Sequence, residues 1–167
     1  MSYKTRPQPS VMKHNFGEVP QVNIPRSTFN LTHGHKTAIW ADYLTPIMVQ
    51  EVLPGDTWNV TPTVFARLST PLTPIMDNIL LDTFHFFVPN RLVWDNWEKF
   101  NGSQDNPADS TSFILPTITS PAGGWLVGSL SDHFGLPTEV AGLEVMSLAH
   151  RAYNLIWNEW FRDQNLQ

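Results

Sequence analysis

The chain has 167 residues, of which 41% are hydrophobic and only 15% are charged, with a formal net charge of −5. A soluble domain usually carries about 25% charged residues. This chain combines its low charge with fourteen prolines, seven tryptophans and ten phenylalanines, so few charged side chains are available to cover a large aromatic area. This composition disfavours a self-sufficient enzyme domain and favours either a protein whose surface is largely covered by neighbours or a fragment cut from a larger core. The absence of cysteine excludes disulfides and thiolate metal sites.

No apolar run approaches the roughly 18 residues that a membrane span requires, and residues 1–10 lack the apolar centre of a signal peptide. We therefore expect a protein that is not secreted and has no membrane partner.

The first 37 residues are predicted to form an extended, basic N-terminal arm. Residues 1–40 carry five cationic side chains against one acidic one, giving +4, while residues 41–167 carry five against fourteen, giving −9. A basic arm on an acidic body is common in proteins that hold nucleic acid, although solubility alone is the plainer explanation. The candidate DNA contacts are Lys4, Arg6, Lys13, Arg26 and Lys36.

The middle of the chain is predicted to contribute three antiparallel strands. Residues 57–68 alternate between apolar and polar side chains, which is typical of a strand with one buried face. Residues 79–88 are apolar on both faces, as expected of a strand inside a sheet. A first strand is predicted within residues 38–51, where Pro46 marks a strand start or an edge position. Three strands are too few to close a barrel.

Two helices are predicted after these strands. Asn90 is the expected N-cap of the first, which ends at Asn101-Gly102. The second is expected to begin at Thr138 and run past residue 160. Residues 101–135 between them are predicted to be a long irregular loop. The second helix is apolar over more than half its circumference, so it either lies in a core or faces another subunit. The candidate subunit-interface residues are Trp94, Trp97, Trp125, Trp157 and Trp160.

Catalytic and metal sites are not predicted anywhere in the sequence. The histidines of His33-Gly34-His35 have no third ligand at a recognisable spacing, and no nucleophile elbow is present. Asp82 and His85 are expected to be a buried, hydrogen-bonded structural pair and not an acid–base pair. We therefore expect no catalytic residue, no metal and no cofactor.

Three long segments carry a family resemblance: FARLSTPLTPIMDN at 65–78, DTFHFFVPNRLVWDNWEKFNG at 82–102 and AYNLIWNEWFRDQNLQ at 152–167, with Gly55-Asp56 before them. They resemble the major capsid protein of the small single-stranded-DNA phages (Microviridae), most closely its gokushovirus branch. The resemblance covers nearly all of this chain but only about the amino-terminal third of a family chain.

The resemblance implies a mainly β fold: a viral jelly roll (an antiparallel β-barrel) with helical insertions, incomplete in this chain. Residues 38–167 would supply its first strands, loops and helices. It also implies a structural protein and not an enzyme, assembled in the bacterial cytoplasm into an icosahedral virion capsid. The implied partners are identical subunits, packaged single-stranded DNA near the inward-facing arm, and a small basic internal virion protein.

A Trp-rich carbohydrate-binding β module is the alternative hypothesis. It predicts a monomer with an exposed planar row of tryptophans, whereas the capsid hypothesis predicts Trp58 in the core and large apolar contacts between copies. The tryptophans available for such a row are Trp40, Trp58, Trp94, Trp97 and Trp125.

Overall fold

The computed structural model describes residues 25–165, and the chain divides after Gly34 into two units. Residues 25–34 have no helix or strand and are exposed. Residues 35–165 contain the regular elements. These are α1 (Asn90–Val93), α2 (Trp97–Phe100), β1 (Thr117–Thr119), α3 (Leu130–His133), β2 (Glu144–Met146) and α4 (Leu148–Ile156), the last continued by a π-helical turn at Trp157–Phe161.

The three predicted strands are wrong for this chain, because residues 38–51, 57–68 and 79–88 carry no strand. No residue between 25 and 88 is buried. A strand exists only when a neighbour pairs with its backbone N–H and C=O groups. The alternation of apolar side chains reports which face would be buried and says nothing about whether that neighbour is present.

The sheet that does form lies within the segment predicted to be irregular and the start of the predicted second helix. Strands β1 and β2 are antiparallel. A buried serine extends the ladder at each end: Ser120 N–H donates to the Leu143 carbonyl at 2.9 Å, and Ser147 N–H donates to the Pro116 carbonyl at 2.9 Å. The register pairs Thr117 with Met146, Ile118 with Val145 and Thr119 with Glu144.

The first predicted helix is present as two short helices, α1 and α2, interrupted at Trp94. The backbone of Trp94 is extended (φ −151°), and its N–H still donates to the Asn90 carbonyl at 3.0 Å. The cap residue is Pro89 and not Asn90. Gly102 follows α2 with φ +96°, the left-handed conformation that favours glycine after a helix.

The second predicted helix begins later than expected, at Leu148, and its N-cap residue is Ser147 instead of Thr138. Thr138 forms a parallel bridge with Trp125, and residues 144–146 belong to β2. Two apolar residues of the predicted helix, Val145 and Met146, therefore alternate across a strand. The helix itself is confirmed from residue 148 onward.

The core is small and lies between residues 94 and 148. Its buried apolar side chains are Trp94, Trp125 and Leu148, with 9%, 8% and 5% of their surface exposed. No helix within residues 25–165 is both long enough and apolar enough to cross a membrane.

Candidate assembly surface

Helix α4 connects three distant parts of the chain through polar side-chain contacts. The Tyr153 hydroxyl donates to the Leu44 carbonyl at 2.8 Å. The Nη1 atom of Arg151 donates to the carbonyl of Val93, the last residue of α1, at 3.1 Å. His150 Nε2 lies 3.1 Å from the hydroxyl of Ser131 on α3. Each contact joins α4 to a different segment, so this helix sets the position of the elements around it.

Four aromatic side chains, which we call the aromatic junction, pack the turn that follows α4 against residues 84–86. They are Phe84, Phe86, Trp160 and Phe161. Phe161 packs edge-on against Phe84 and Phe86, with ring centroids 5.3 Å and 6.0 Å apart. Trp160 lies 6.0 Å from Phe86. Sequence reasoning assigned the two phenylalanines to a strand face and missed their contact with the π-helical turn. The signal available was their i, i+2 spacing, which places both on one side of an extended chain.

The most extensive apolar exposure lies in residues 39–87, which we call the exposed apolar segment. Its large side chains project into solvent: Phe65 is 91% exposed, Leu80 84% and Phe87 76%. Soluble monomers rarely leave so much apolar area uncovered, and large exposed patches mark interaction sites. This segment is therefore the candidate assembly surface.

The five candidate interface tryptophans occupy different environments. Trp94 and Trp125 are buried within the chain, so each has less than a tenth of its surface left for a neighbour. Trp97 is half-buried, with its ring 6.2 Å from that of Trp94. Trp157 and Trp160 are 43% and 73% exposed. The subunit-contact role of all five stays a prediction, and the exposed pair on the π-helical turn has the surface to fulfil it.

The candidate DNA contacts are only partly within the described residues. Arg26 and Lys36 have exposed side chains. Lys4, Arg6 and Lys13 lie outside residues 25–165. Contact with DNA stays a prediction for all five.

Two titratable groups expected to be buried are not. Asp82 and His85 are both exposed, so the predicted buried structural pair is wrong: without a sheet over residues 79–88, neither face of that segment is covered. In the described part of the chain, no three His, Asp or Glu side chains come together as metal ligands. The imidazole of His150 is instead half-buried, and this burial lowers its pKa below its ordinary value of 6.5.

Residues 17–167 match the family model described as capsid protein (F protein). The chain belongs to this phage capsid protein family. The match confirms the family predicted from the sequence, a family of structural capsid proteins and not of enzymes. The family implies the predicted jelly roll, whereas the described residues contain one two-stranded sheet.

Curated relatives agree with this assignment. The capsid protein VP1 of Bdellovibrio phage phiMH2K is 57% identical over 154 residues, which are 92% of this chain and 29% of the relative. VP1 of Chlamydia phage 1 is 52% identical over 170 residues, covering 98% of this chain and 28% of the relative. VP1 of Spiroplasma virus 4 is 40% identical over 154 residues, covering 92% and 28%. The chain thus spans less than a third of the length of the curated relatives it matches.

Proposed function

We propose that this chain is part of a structural protein that assembles with copies of itself into an icosahedral shell around single-stranded DNA. The observation that carries the proposal is the exposed apolar segment, since no residue between 25 and 88 is buried. Membership of the capsid family supports the same function.

Assembly has a clear physical driving force on this surface. Burying one large apolar side chain such as Phe65, now 91% exposed, contributes about 1.5 to 3 kcal/mol. A stable protein–protein interface removes roughly 1,200 to 2,000 Å² of surface from water. An apolar segment as long as this one supports contacts of that size, on the rest of a longer capsid chain and on neighbouring subunits.

The arm (residues 1–37) is proposed to contact the enclosed DNA. Five cations engaging single-stranded phosphates would give a log–log salt slope of about −3.5, so a fourfold rise in salt would weaken one arm roughly a hundredfold. A single arm is therefore a weak binder. A shell presents many arms at high effective concentration, which compensates for that weakness.

A small basic internal protein is the third proposed partner. Residues 41–167 carry a net charge of −9, from five cationic and fourteen acidic side chains. Such an acidic body is electrostatically complementary to a basic protein. Both that protein and the arm would then help to neutralise the packaged phosphates.

A chimera tests the assembly function. In it, this chain replaces the matching residues of VP1 from phage phiMH2K, and its sedimentation is compared with that of the unmodified VP1. We expect shell-sized particles from both, and smaller species when Phe65→Ser and Leu80→Ser are introduced into the chimera. A chimera that stays monomeric while unmodified VP1 assembles would contradict the proposal. A double variant that still assembles would show that the exposed apolar segment does not carry it.

The carbohydrate-binding alternative has one feature in its favour and several against it. Trp97 lines a groove of about 680 Å³ together with Glu51, Glu98 and Asn101, side chains of the kind that bind sugar hydroxyls. The five tryptophans, however, do not form an exposed planar row, because Trp94 and Trp125 are buried. The Trp94 and Trp97 rings are also inclined at 61° to each other. We expect no change in tryptophan fluorescence on titration with oligosaccharides.

A further inference from the structure

His150 joins α4 to α3 through two different contacts. Its Nε2 atom lies 3.1 Å from the hydroxyl of Ser131, a residue with only 6% of its surface exposed. Its ring also packs edge-on against Phe134, with centroids 4.8 Å apart. Both partners come from α3 and its C-terminal cap residue. The imidazole of His150 therefore links α4 to α3.

The second ring nitrogen of His150 has no comparable partner. Nδ1 is buried and makes no hydrogen bond within residues 25–165. In the neutral ring, Nε2–H can donate to the Ser131 hydroxyl while Nδ1 keeps only a bare lone pair. In the protonated ring, both nitrogens are donors, so Nδ1 would bury a charged N–H without an acceptor. Desolvation by burial, which disfavours the charged ring, lowers the pKa of His150.

The charged and titratable groups around His150 do not compensate for a charge on its ring. Arg91 on α1 and Glu159 on the π-helical turn are exposed. The others, on α3 and α4, are engaged elsewhere, so the described residues offer Nδ1 no carboxylate. These groups and their partners are Asp132 (Gly128 N–H, 2.8 Å), His133 (Thr37 Oγ1, 3.2 Å), Arg151 (Val93 carbonyl, 3.1 Å) and Tyr153 (Leu44 carbonyl, 2.8 Å).

We propose that the contact between His150 and Ser131 is an acid-sensitive latch: the neutral ring holds α4 on α3, and protonation weakens this attachment because it leaves a buried, charged N–H at Nδ1 without an acceptor. The folded state binds the proton less readily than the unfolded state, whose histidine titrates near 6.5. The latch therefore contributes its full stability above that pH and loses it as the pH falls. Because α4 continues into the turn that carries Trp160 and Phe161, its release would also loosen the aromatic junction.

Amide hydrogen exchange of the full chain tests the latch. Wild type and His150→Gln are compared at about pH 7.5 and about pH 5, on either side of the ordinary histidine pKa. The glutamine amide can still bond to Ser131 but does not acquire a charge. Comparison at equal pH cancels the intrinsic pH dependence of exchange. We expect the protection of α4 in wild type, relative to the variant, to fall about fivefold or more on acidification, the order set by one buried unpaired donor.

His85→Gln is the matched control, because His85 is exposed, and it should behave as wild type does. NMR titration of the imidazole signals provides an independent readout, in which His150 should titrate below the ordinary histidine value of 6.5. Equal loss of protection in wild type and His150→Gln would overturn the latch. So would titration of His150 at or above the ordinary histidine value of 6.5, or an α4 that is unprotected at neutral pH. The exchange and titration experiments measure a property of the single chain, so none of these results bears on the proposed shell assembly.

Discussion

The hydroxyl of Tyr153 donates a hydrogen bond to the carbonyl oxygen of Leu44 at 2.8 Å, which joins α4 to a residue 109 positions earlier in the chain. Residues 44–46 are half-buried, while their neighbours on both sides are exposed. The bond thus joins the exposed apolar segment to the helices, as the aromatic junction also does. Burial raises the pKa of Tyr153 above its ordinary value of 10.0.

Replacing Tyr153 with phenylalanine removes this bond and leaves the ring in place. We expect Tyr153→Phe to lower the free energy of unfolding by about 1 kcal/mol, the usual net value of one hydrogen bond. Urea denaturation followed by circular dichroism measures the loss. Tyr43→Phe is the control, because that ring is 70% exposed, and it should change little. Equal effects of the two substitutions would show that the bond to Leu44 contributes nothing.

Burial of the Tyr153 hydroxyl predicts an alkaline dependence of stability. The folded state holds the Tyr153 proton more tightly than the unfolded state, whose tyrosine titrates near 10.0. Stability should therefore be fully present below that pH and decline as the pH rises through the folded-state pKa. Tyr153→Phe should lack this component of the decline.

Ser120 fixes the loop between β1 and β2. Its buried hydroxyl donates to the Val140 carbonyl at 2.7 Å and accepts the Leu143 N–H at 2.8 Å. Ser120→Ala leaves both backbone groups without this partner, so we expect a loss of about 2 kcal/mol in unfolding free energy. Ser112→Ala, at an exposed position, is the control and should be nearly neutral. Similar losses in the two variants would rule out this role for Ser120.

Gly124 and Gly128 provide a matched pair that separates backbone strain from crowding. Both have positive φ, +75° and +79°. A Cβ at Gly124 would lie 2.3 Å from the Val140 nitrogen, whereas one at Gly128 would meet nothing within 4 Å. Alanine at Gly128 should cost about 1 to 2 kcal/mol, the penalty of a left-handed conformation.

Alanine at Gly124 should cost clearly more than that, or prevent the loop from closing on residues 139–140. Thermal denaturation compares the two variants when both fold, and soluble yield compares them when one does not. Equal stability and equal yield would show that residues 139–140 move away from the new methyl group without cost.

Local signals predicted the helices better than the strands. The apolar spacing at residues 93, 97 and 100 and the Asn101-Gly102 stop lie within a few turns, and α1 and α2 formed there. The alternation of residues 57–68 is equally regular, but a strand depends on a partner that can lie anywhere in the chain. The start of α4 was misplaced because the apolar residues Val145 and Met146 fit a helix with a wide apolar surface and a strand equally well.

The candidate assembly surface was predictable in kind but not in detail. Low charge and many aromatic residues predicted uncovered apolar area, and the structure shows it in residues 39–87. The sequence did not predict which tryptophans remain exposed. Trp125, for example, is buried where its backbone bridges that of Thr138, and no local sequence pattern predicts that bridge. The lack of a hydrogen-bond partner at Nδ1 of His150 was not predictable either, because it depends on how α3 packs against α4.

If the arm contacts DNA, as the proposed function requires, its cations should determine the salt dependence of single-stranded-DNA binding. Neutralising its five cations to glutamine should make the log–log salt slope of single-stranded-DNA binding less steep by about 3.5. Fluorescence anisotropy of a labelled oligonucleotide across a salt series measures that slope. The substituted residues are Lys4, Arg6, Lys13, Arg26 and Lys36.

The control neutralises three exposed cations elsewhere in the chain, Arg67, Arg91 and Lys99, and should leave the slope unchanged. If the slope becomes less steep by the same amount in both variants, DNA binding depends only on the total charge of the chain. If the slope becomes less steep only in the control, the DNA contacts lie on residues 41–167, which would contradict the proposal. Because the slope counts displaced counterions, it distinguishes these cases even where the absolute affinity of one arm is weak.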